Sequence, residues 1–115
     1  MKTIFCDIDG TLLKHHGSLS LQLTSSPVLL EGSIKTLSEW DEKGYNIILT
    51  TGRRESCRDI TEKQLQSMGI FYDQLIMGIG GGTRVLINDL KEDRSNDTAI
   101  AINVERNIGI KDVKL

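Results

Sequence analysis

The stretch Asp7-Ile8-Asp9-Gly10-Thr11 places two carboxylates two positions apart, directly before a glycine and a threonine. Two negative charges held this close repel each other, and each raises the pKa of the other unless a positive charge lies between them. Carboxylate oxygens are the ligands that Mg²⁺ prefers, and a glycine lets the backbone turn sharply beside them. The pair therefore predicts a divalent cation, with Mg²⁺ the expected ion, shared with a phosphate oxygen.

A carboxylate beside a metal-held phosphate can attack phosphorus and form an aspartyl phosphate, and we assign this nucleophilic role to Asp7. Asp9 would then protonate the leaving alcohol and later accept a proton from the attacking water. We expect the hydroxyl of Thr51 to donate a hydrogen bond to a phosphate oxygen, with Thr50 as its rival for that role. Asp89 would complete the metal shell.

The elements that must position these residues alternate between strand and helix. Apolar runs predict strands, and two longer segments with apolar positions at helical spacing predict helices that end at Gly44 and Gly69. The stretch between the first strand and the first helix, 12–30, alternates with period two around LSLQL and predicts a short flap or hairpin followed by a loop. The strands are expected at Thr3–Cys6, within YNIILTTGR, and at Gln74–Met77, Arg84–Asn88 and Thr98–Val104, and the helices at Glu31–Lys43 and Arg54–Met68.

Inside the two helices, Ile34, Leu37 and Trp40 are expected to face inward, as are Cys57, Ile60, Leu65 and Met68, although Trp40 would also suit an oligomer contact. A polar loop is expected in KEDRSND after Asp89. Strands that alternate with helices favour a parallel sheet covered on both faces, in which ligands collect outside the carboxyl ends of the strands.

The length and composition of the chain indicate how many domains it has and which kinds of partner it suits. A chain of 115 residues fits a single domain, here 1–115, and a net charge of -2 with scattered Lys and Arg predicts no nucleic-acid partner. Cys6 and Cys57 lack the spacing of a zinc site or a disulfide scaffold, so we expect free thiols in a reducing cytoplasm. No segment is apolar enough to predict a membrane span or a secretion signal.

At this point the sequence resembles the haloacid dehalogenase superfamily of aspartate-dependent phosphatases. The resemblance rests on DIDGT at 7–11, ILTTGR at 48–53 and VLIND at 85–89, which match the first, second and fourth motifs of that family in order. It implies an α/β, three-layer Rossmann-like domain with a mostly parallel central sheet. It also implies that Asp7 is nucleophile and Mg²⁺ ligand, that Asp9 adds acid–base chemistry and a backbone carbonyl ligand, and that Asp89 binds the metal.

Two positions depart from the family pattern. The third-motif lysine is missing, since LIMGIGGGTRVLIND contains none, and Arg84 is the first candidate to replace it, ahead of Lys63 and Lys91. Asn88 stands where an acid is common. The resemblance further implies that Thr51 and Gly52 bind the substrate phosphate together with Arg84.

The spacing of the motifs indicates a capless member, because only roughly thirty residues separate the first motif from the second, with 12–30 as a flap or loop insert. Similar small phosphatases imply a sugar phosphate or sugar-acid phosphate substrate in carbohydrate metabolism, and a possible homo-oligomer. Arg53 could hold phosphate or pair with Glu55, and His15 and His16 could touch substrate. The alternatives are a weakly active protein that binds a phosphorylated sugar or a protein partner, and a phosphotransferase.

Overall fold

The computed structural model describes residues 1–93 and 97–115. Residues 94–96, which belong to the polar loop expected after Asp89, lie outside the described residues. A 3₁₀ turn at Glu55–Cys57 leads directly into the last helix. In chain order the elements are β1 (Thr3–Asp7), α1 (Leu19–Thr24), α2 (Ser33–Glu42), β2 (Asn46–Thr50), α3 (Arg58–Ser67) and β3 (Gln74–Ile76).

The three strands form one parallel sheet in the order β1-β2-β3. Asp7 pairs with Thr50, and Thr50 pairs with Ile76, so all three strands end at the same edge. The predicted α/β class with a parallel sheet is confirmed. Because parallel strands align their carboxyl ends, the residues that follow β1 and β2 emerge side by side.

The central strand β2 anchors the core. Ile47, Ile48 and Leu49 are all buried, as expected of a strand flanked by neighbours on both edges. Leu37 and Trp40 of α2 belong to the same apolar cluster, so Trp40 is a core residue, one of the two roles predicted for it. This packing fixes the end of β2, from which the second motif departs.

The segment 12–30 combines a predicted and an unpredicted feature. Its two ends pair in antiparallel fashion at a single bridge, Leu13 with Leu29, as a hairpin would require. Between them, however, lies α1 rather than a second strand, and the hydroxyl of Ser18 caps this helix by accepting from the Leu21 amide at 3.2 Å. The side chain that α1 buries is Gln22, while Leu21 is exposed. The period-two spacing of the leucines therefore wrongly indicated a hairpin strand where the chain forms α1.

The inward face of α3 is more polar than predicted. Leu65 is fully buried as expected, but Ile60 is exposed, and Thr61 and Gln64 are buried in its place. A helix buries polar side chains only where they find hydrogen-bond partners. The partner here is Arg53, which arrives from the end of β2.

The strands predicted at Arg84–Asn88 and Thr98–Val104 are absent from the described ranges. Val85 and Ile87 are 79% and 88% exposed, and Phe5 of β1 is half-exposed. No strand within 1–93 and 97–115 pairs with the outer edge of β1. An apolar run becomes a strand only when it pairs with a neighbour, and the sequence pattern alone does not supply that pairing. Among the described helices, none has the length and apolar character needed to cross a membrane.

The two cysteines are both free and should differ in reactivity. Cys6 lies in the core, where burial, aided by the nearby negative charge of Asp7, raises the pKa of its thiol to about 12. Because the thiolate is the reactive form, we expect a thiol reagent at pH 8 to label the half-buried Cys57 but not Cys6 in the folded protein. Peptide mapping with and without denaturant measures this, and rapid native labelling of Cys6 would contradict the assigned core.

Candidate active site

The first motif forms a tight turn directly after β1. The amide of Thr11 donates to the Ile8 carbonyl at 3.2 Å, and the amide of Gly10 donates to the Leu13 carbonyl at 2.6 Å. Gly10 adopts a φ of 89°, which a side chain would disfavour. The turn directs Asp7 and Asp9 toward the same space outside the sheet edge.

That space is an open cavity of about 360 Å³. It contains five of the six residues predicted for the site, which are Asp7, Asp9, Thr51, Gly52 and Arg84. Asp89, the sixth, does not line it. The other residues that line the cavity are His15, Ser18, Leu19, Gln22, Arg53, Gly80, Gly81 and Arg106.

Asp7 has the environment of a carboxylate that favours a nearby cation. Desolvation by the surrounding protein raises its pKa, and the negative charge of Asp9 adds to the effect. Hydrogen bonds from the Thr11 hydroxyl, at 3.2 Å, and from the Ile8 amide lower the pKa, as does the positive charge of Arg84. The net shift is upward, so the charged form of Asp7 is destabilised unless a positive group joins it.

Asp9 makes a two-pronged ion pair with Arg53. The Nε and Nη2 atoms of Arg53 donate to the two carboxylate oxygens of Asp9 at 2.8 and 2.7 Å. Arg53 is buried, being only 3% exposed. The alternative of a pair with Glu55 is wrong, because Glu55 pairs with Arg58 instead.

The remaining nitrogen of Arg53 is also bound. Its Nη1 donates to the Thr61 hydroxyl at 3.0 Å and to the Gln64 side-chain oxygen at 2.7 Å, both on α3. Gln64 in turn donates to the main-chain carbonyl of Gln22 on α1 at 3.1 Å. Arg53 therefore fixes Asp9 against α3, and through Gln64 against α1, and we regard it as a positioning residue, a role that the sequence did not predict for it.

The Gln22 side chain extends this network to the flap. It donates to the Lys14 carbonyl at 2.7 Å and accepts from the His16 amide at 2.8 Å. His15 lines the cavity, whereas His16 does not. Of the two histidines predicted to touch substrate, only His15 is therefore in place to do so.

The structure distinguishes Thr51 from Thr50 as the candidate for the phosphate-binding hydroxyl. Thr51 is buried and lines the cavity, while Thr50 is half-buried and does not line it. The hydroxyl of Thr51 accepts from the Arg53 amide at 3.1 Å, which leaves its own proton available to a ligand. Thr51 is thus the better placed of the two hydroxyls.

The glycine-rich loop after β3 packs against the second motif. The Gly78 amide donates to the Arg53 carbonyl at 2.7 Å, and the carbonyl oxygen of Gly80 would lie 2.6 Å from a Cβ added to Gly52. The guanidinium of Arg84 binds the carbonyls of Gly82 and Gly80 at 2.5 and 2.8 Å. Arg84 therefore reaches the cavity, whereas Lys63 and Lys91 do not line it.

Replacing Gly52 with alanine should lower activity through this contact. The new methyl group would meet the backbone of Gly80, which must move, and Arg84 would move with it. We expect about a tenfold or greater loss of kcat/KM, because a small displacement of a phosphate-binding group is costly. Gly82→Ala is the matched control, since a Cβ there meets nothing within 4 Å and Gly82 does not line the cavity. Equal activity of the two variants would contradict the close packing.

The cavity contains some, but not all, of the oxygen ligands predicted for a hard cation. Asp7 offers a carboxylate, and no described donor bonds to the main-chain carbonyl of Asp9, whose side chain is committed to Arg53. In residues 1–93 and 97–115, no cluster of three His, Cys, Asp or Glu side chains has metal-binding geometry. The structure does not bring Asp89 to these donors, so its metal role stays a prediction.

The chain matches known proteins in two comparisons. Residues 1–106 match the family model described as polynucleotide kinase PNKP phosphatase domain. Two structures of a Pnkp1/Rnl/Hen1 complex, one described as an RNA repair complex, match at 30% and 32% identity with TM-scores of 0.60 and 0.58. These matches cover 73% and 66% of this chain but only 30% and 25% of the matched chains.

A third structure shares the fold at lower identity. It is a D,D-heptose 1,7-bisphosphate phosphatase from B. bronchiseptica, complexed with magnesium and phosphate, at 20% identity and a TM-score of 0.50. The match covers 70% of this chain and 51% of that chain. No curated protein matches.

The prediction that nucleic acid is not a partner is wrong. The matched family model describes the polynucleotide kinase PNKP phosphatase domain. Two matched chains come from structures of a Pnkp1/Rnl/Hen1 complex, and one of these is described as an RNA repair complex. The prediction relied on the net charge, which is a sum over the whole chain, and on the scatter of Lys and Arg along the sequence. Local potential at a site depends on the side chains that line it, and three arginines line this cavity.

Proposed function

The chain belongs to the family of polynucleotide kinase PNKP phosphatase domains, within the haloacid dehalogenase superfamily, and from this premise we propose that it is a Mg²⁺-dependent phosphomonoesterase that removes a terminal phosphate from a polynucleotide. The observation that carries the proposal is the cavity that holds Asp7 and Asp9 together with Arg53 and Arg84. A reactive carboxylate beside arginines suits a phosphate group.

In the first step, a carboxylate oxygen of Asp7 forms a bond to phosphorus while the bond from phosphorus to the leaving alcohol oxygen breaks. The alcohol takes its proton from Asp9. In the second step, water attacks phosphorus, Asp9 accepts the proton, and the bond to Asp7 breaks to release phosphate. Arg53 takes one acceptor position on each oxygen of Asp9, so the proton that Asp9 transfers uses a remaining lone pair.

The metal would be held by the Asp7 carboxylate, the Asp9 main-chain carbonyl and Asp89. Bound Mg²⁺ would supply positive charge for the phosphate oxygens. For Asp89 to take part, the exposed apolar segment before it would have to pair with the free edge of β1. The exposure of Val85, Ile87 and Phe5 supports that pairing, since each would lose apolar surface to water on docking.

The substrate class is the finer part of the proposal. The family match and the open cavity favour the end of a polynucleotide, whose length a cavity of this kind accommodates without enclosing it. A sugar phosphate or sugar-acid phosphate is the second candidate, supported by the fold shared with the heptose bisphosphate phosphatase. The two free cysteines further support a reducing compartment such as the cytoplasm.

Phosphate release from a panel of substrates tests the proposal. The panel holds oligonucleotides with a 3′ or a 5′ phosphate, a sugar phosphate and a sugar-acid phosphate, each with Mg²⁺ and with a chelator. We expect Mg²⁺-dependent release from an oligonucleotide end at a higher kcat/KM than from either sugar compound, and a large loss in Asp89→Asn.

Three results would change the proposal. Preference for a sugar compound would replace the substrate class. Binding of substrate without phosphate release would favour the weakly active binder. Transfer of the phosphate to an added alcohol, with no free phosphate, would favour the phosphotransferase.

A further inference from the structure

Arg106 lines the same cavity although it lies far along the chain from the three motifs. A Cβ added to Gly10 would lie 3.3 Å from the Cγ of Arg106 and 4.0 Å from its Nε. The side chain of Arg106 therefore passes over the turn that carries Asp7 and Asp9. Neither the motifs nor the spacing of the sequence marks this residue.

The segment that carries Arg106 is fastened to the first motif on both sides of its turn. The amide of Asn107 donates to the Gly10 carbonyl at 2.8 Å, and the side chain of Asn107 accepts from the His15 amide at 2.6 Å. Asn107 adopts a left-handed φ of 66°, which asparagine tolerates better than most residues. Gly109 packs beside Thr11, since a Cβ added to Gly109 would lie 3.3 Å from the Thr11 carbonyl oxygen. The backbone at Arg106 is thus fixed beside the first motif, and its exposed side chain borders the cavity.

The guanidinium of Arg106 differs from the other two arginines of the cavity. Arg53 is committed to Asp9, and Arg84 binds two loop carbonyls. Within the described part of the chain, Arg106 has neither an ion pair nor a hydrogen bond from its side chain. A positioned arginine with its donors free is a binding group for an anion.

The charges of the cavity also favour more than one anion. Three arginines face two aspartates, and one of those aspartates is already paired with Arg53. Arg84 is held by the carbonyls of Gly80 and Gly82, and Gly80 packs against Gly52 of the second motif, which associates Arg84 with the phosphate that reacts. Arg106 lies instead against Gly10, on the side that His15 borders. The two arginines therefore mark separate places for negative charge.

We propose that Arg106 binds the phosphodiester next to the terminal phosphate, and so makes this site selective for the end of a nucleic-acid strand over a small phosphomonoester. The inference rests on the proposed function. A phosphodiester oxygen accepts hydrogen bonds from a guanidinium, and such contacts position a nucleic acid without reading its bases. Arg106 is then a specificity residue that touches substrate away from the reacting atoms.

Steady-state kinetics of Arg106→Ala on two substrates tests this inference. The substrates are a short oligonucleotide with a terminal phosphate and p-nitrophenyl phosphate, which has no neighbouring phosphodiester. We expect KM for the oligonucleotide to rise by about 10- to 100-fold, the effect of one hydrogen bond to a charged group, with kcat nearly unchanged. Both constants for p-nitrophenyl phosphate should stay within about twofold, as expected where no contact is lost.

Two further variants complete the experiment. Arg106→Lys should recover part of the oligonucleotide affinity, because the charge remains while the forked donor geometry is lost. Arg54→Ala removes an exposed arginine that does not line the cavity and should leave both substrates unaffected.

Each outcome points to a different conclusion. An unchanged KM for the oligonucleotide in Arg106→Ala would overturn the inference alone, as would an equal loss on both substrates, which would indicate a structural role. Failure of the wild-type protein to hydrolyse either substrate would overturn the proposed function and this inference with it.

Discussion

Replacing Asp7 with asparagine should abolish phosphate release while leaving the protein folded. Removal of a covalent nucleophile costs other enzymes about 10⁴-fold or more in kcat, and we expect a loss of that order here. An amide cannot form the aspartyl phosphate and is a poor ligand for a hard cation. Phosphate release from the best substrate of the panel, measured with saturating Mg²⁺, gives the comparison.

The same substitution should raise stability slightly in the absence of metal. The pKa of Asp7 is raised in the folded protein by desolvation first and by the charge of Asp9 second. A carboxyl with a raised folded-state pKa binds its proton more tightly when folded, so its charged form destabilises the protein above that pKa. The penalty fades as the pH falls through the folded-state pKa, and it is absent below the unfolded-state value.

Thermal unfolding with a chelator present tests this sign. We expect Asp7→Asn to unfold at or above the temperature of the wild-type protein at pH 7, with the difference shrinking toward acid pH. Asp41→Asn, an exposed acid of α2, is the control and should change neither activity nor this pH dependence. A strongly destabilised but active Asp7→Asn protein would contradict both roles assigned to Asp7.

Replacing Arg53 with methionine should damage both stability and activity. The substitution leaves the Asp9 carboxylate, whose side chain is 16% exposed, without the ion-pair partner it has among the described residues. Removing one member of a buried pair costs about 3–5 kcal/mol, and here Thr61 and Gln64 lose a hydrogen-bond partner as well. Since Asp9 would no longer be held in place, we also expect kcat to fall by about 100-fold or more, the range of general acid–base catalysis.

Chemical denaturation and kcat at a temperature where the variant is folded measure the two effects. Arg54→Met is the matched control, because it removes the adjacent exposed arginine, and its free energy of unfolding should change by less than about 0.5 kcal/mol. Arg53→Lys separates charge from geometry, since lysine cannot make the two-pronged contact with Asp9. Wild-type kcat in Arg53→Met would show that Asp9 needs no such support.

The positions of Asp7, Gly10 and Thr51 could be predicted because they follow from strand order and from the conformation of one turn. Asp7 and Thr51 each follow an apolar run, and in a parallel sheet such residues emerge at the same edge. Their presence in one cavity is therefore a consequence of the strand order. Gly10 also follows from the pattern, because its left-handed φ requires a residue without a side chain.

The pairing of Arg53 could not be read in the same way. Its partners on α3, Thr61 and Gln64, look in the sequence like residues of a solvated helix face, and only the folded structure shows them buried. No signal in the sequence marked them, because Ile60 offered an apolar residue for the inward face and only the structure shows it exposed. Buried polar residues are satisfied by long-range partners that a local pattern does not contain.

Arg106 and the apolar run before Asp89 illustrate two further limits of the sequence. Arg106 reaches the cavity because Asn107 binds Gly10 and His15, and both contacts join residues more than ninety positions apart. The run before Asp89 has strand composition but no paired neighbour in the described residues. In both cases tertiary contacts decide the outcome, and local composition does not encode them.

Chemical trapping of the intermediate tests the central claim most directly. Borohydride reduces an aspartyl phosphate to homoserine with loss of phosphate, and mass spectrometry of the peptide that contains residues 3–13 locates the change. With Mg²⁺ and a phosphorylated oligonucleotide present, we predict homoserine at position 7, none in the absence of substrate, and none in Asp7→Asn. Rapid phosphate release from the wild-type protein with residue 7 unmodified throughout turnover would contradict the assignment of Asp7 as the nucleophile.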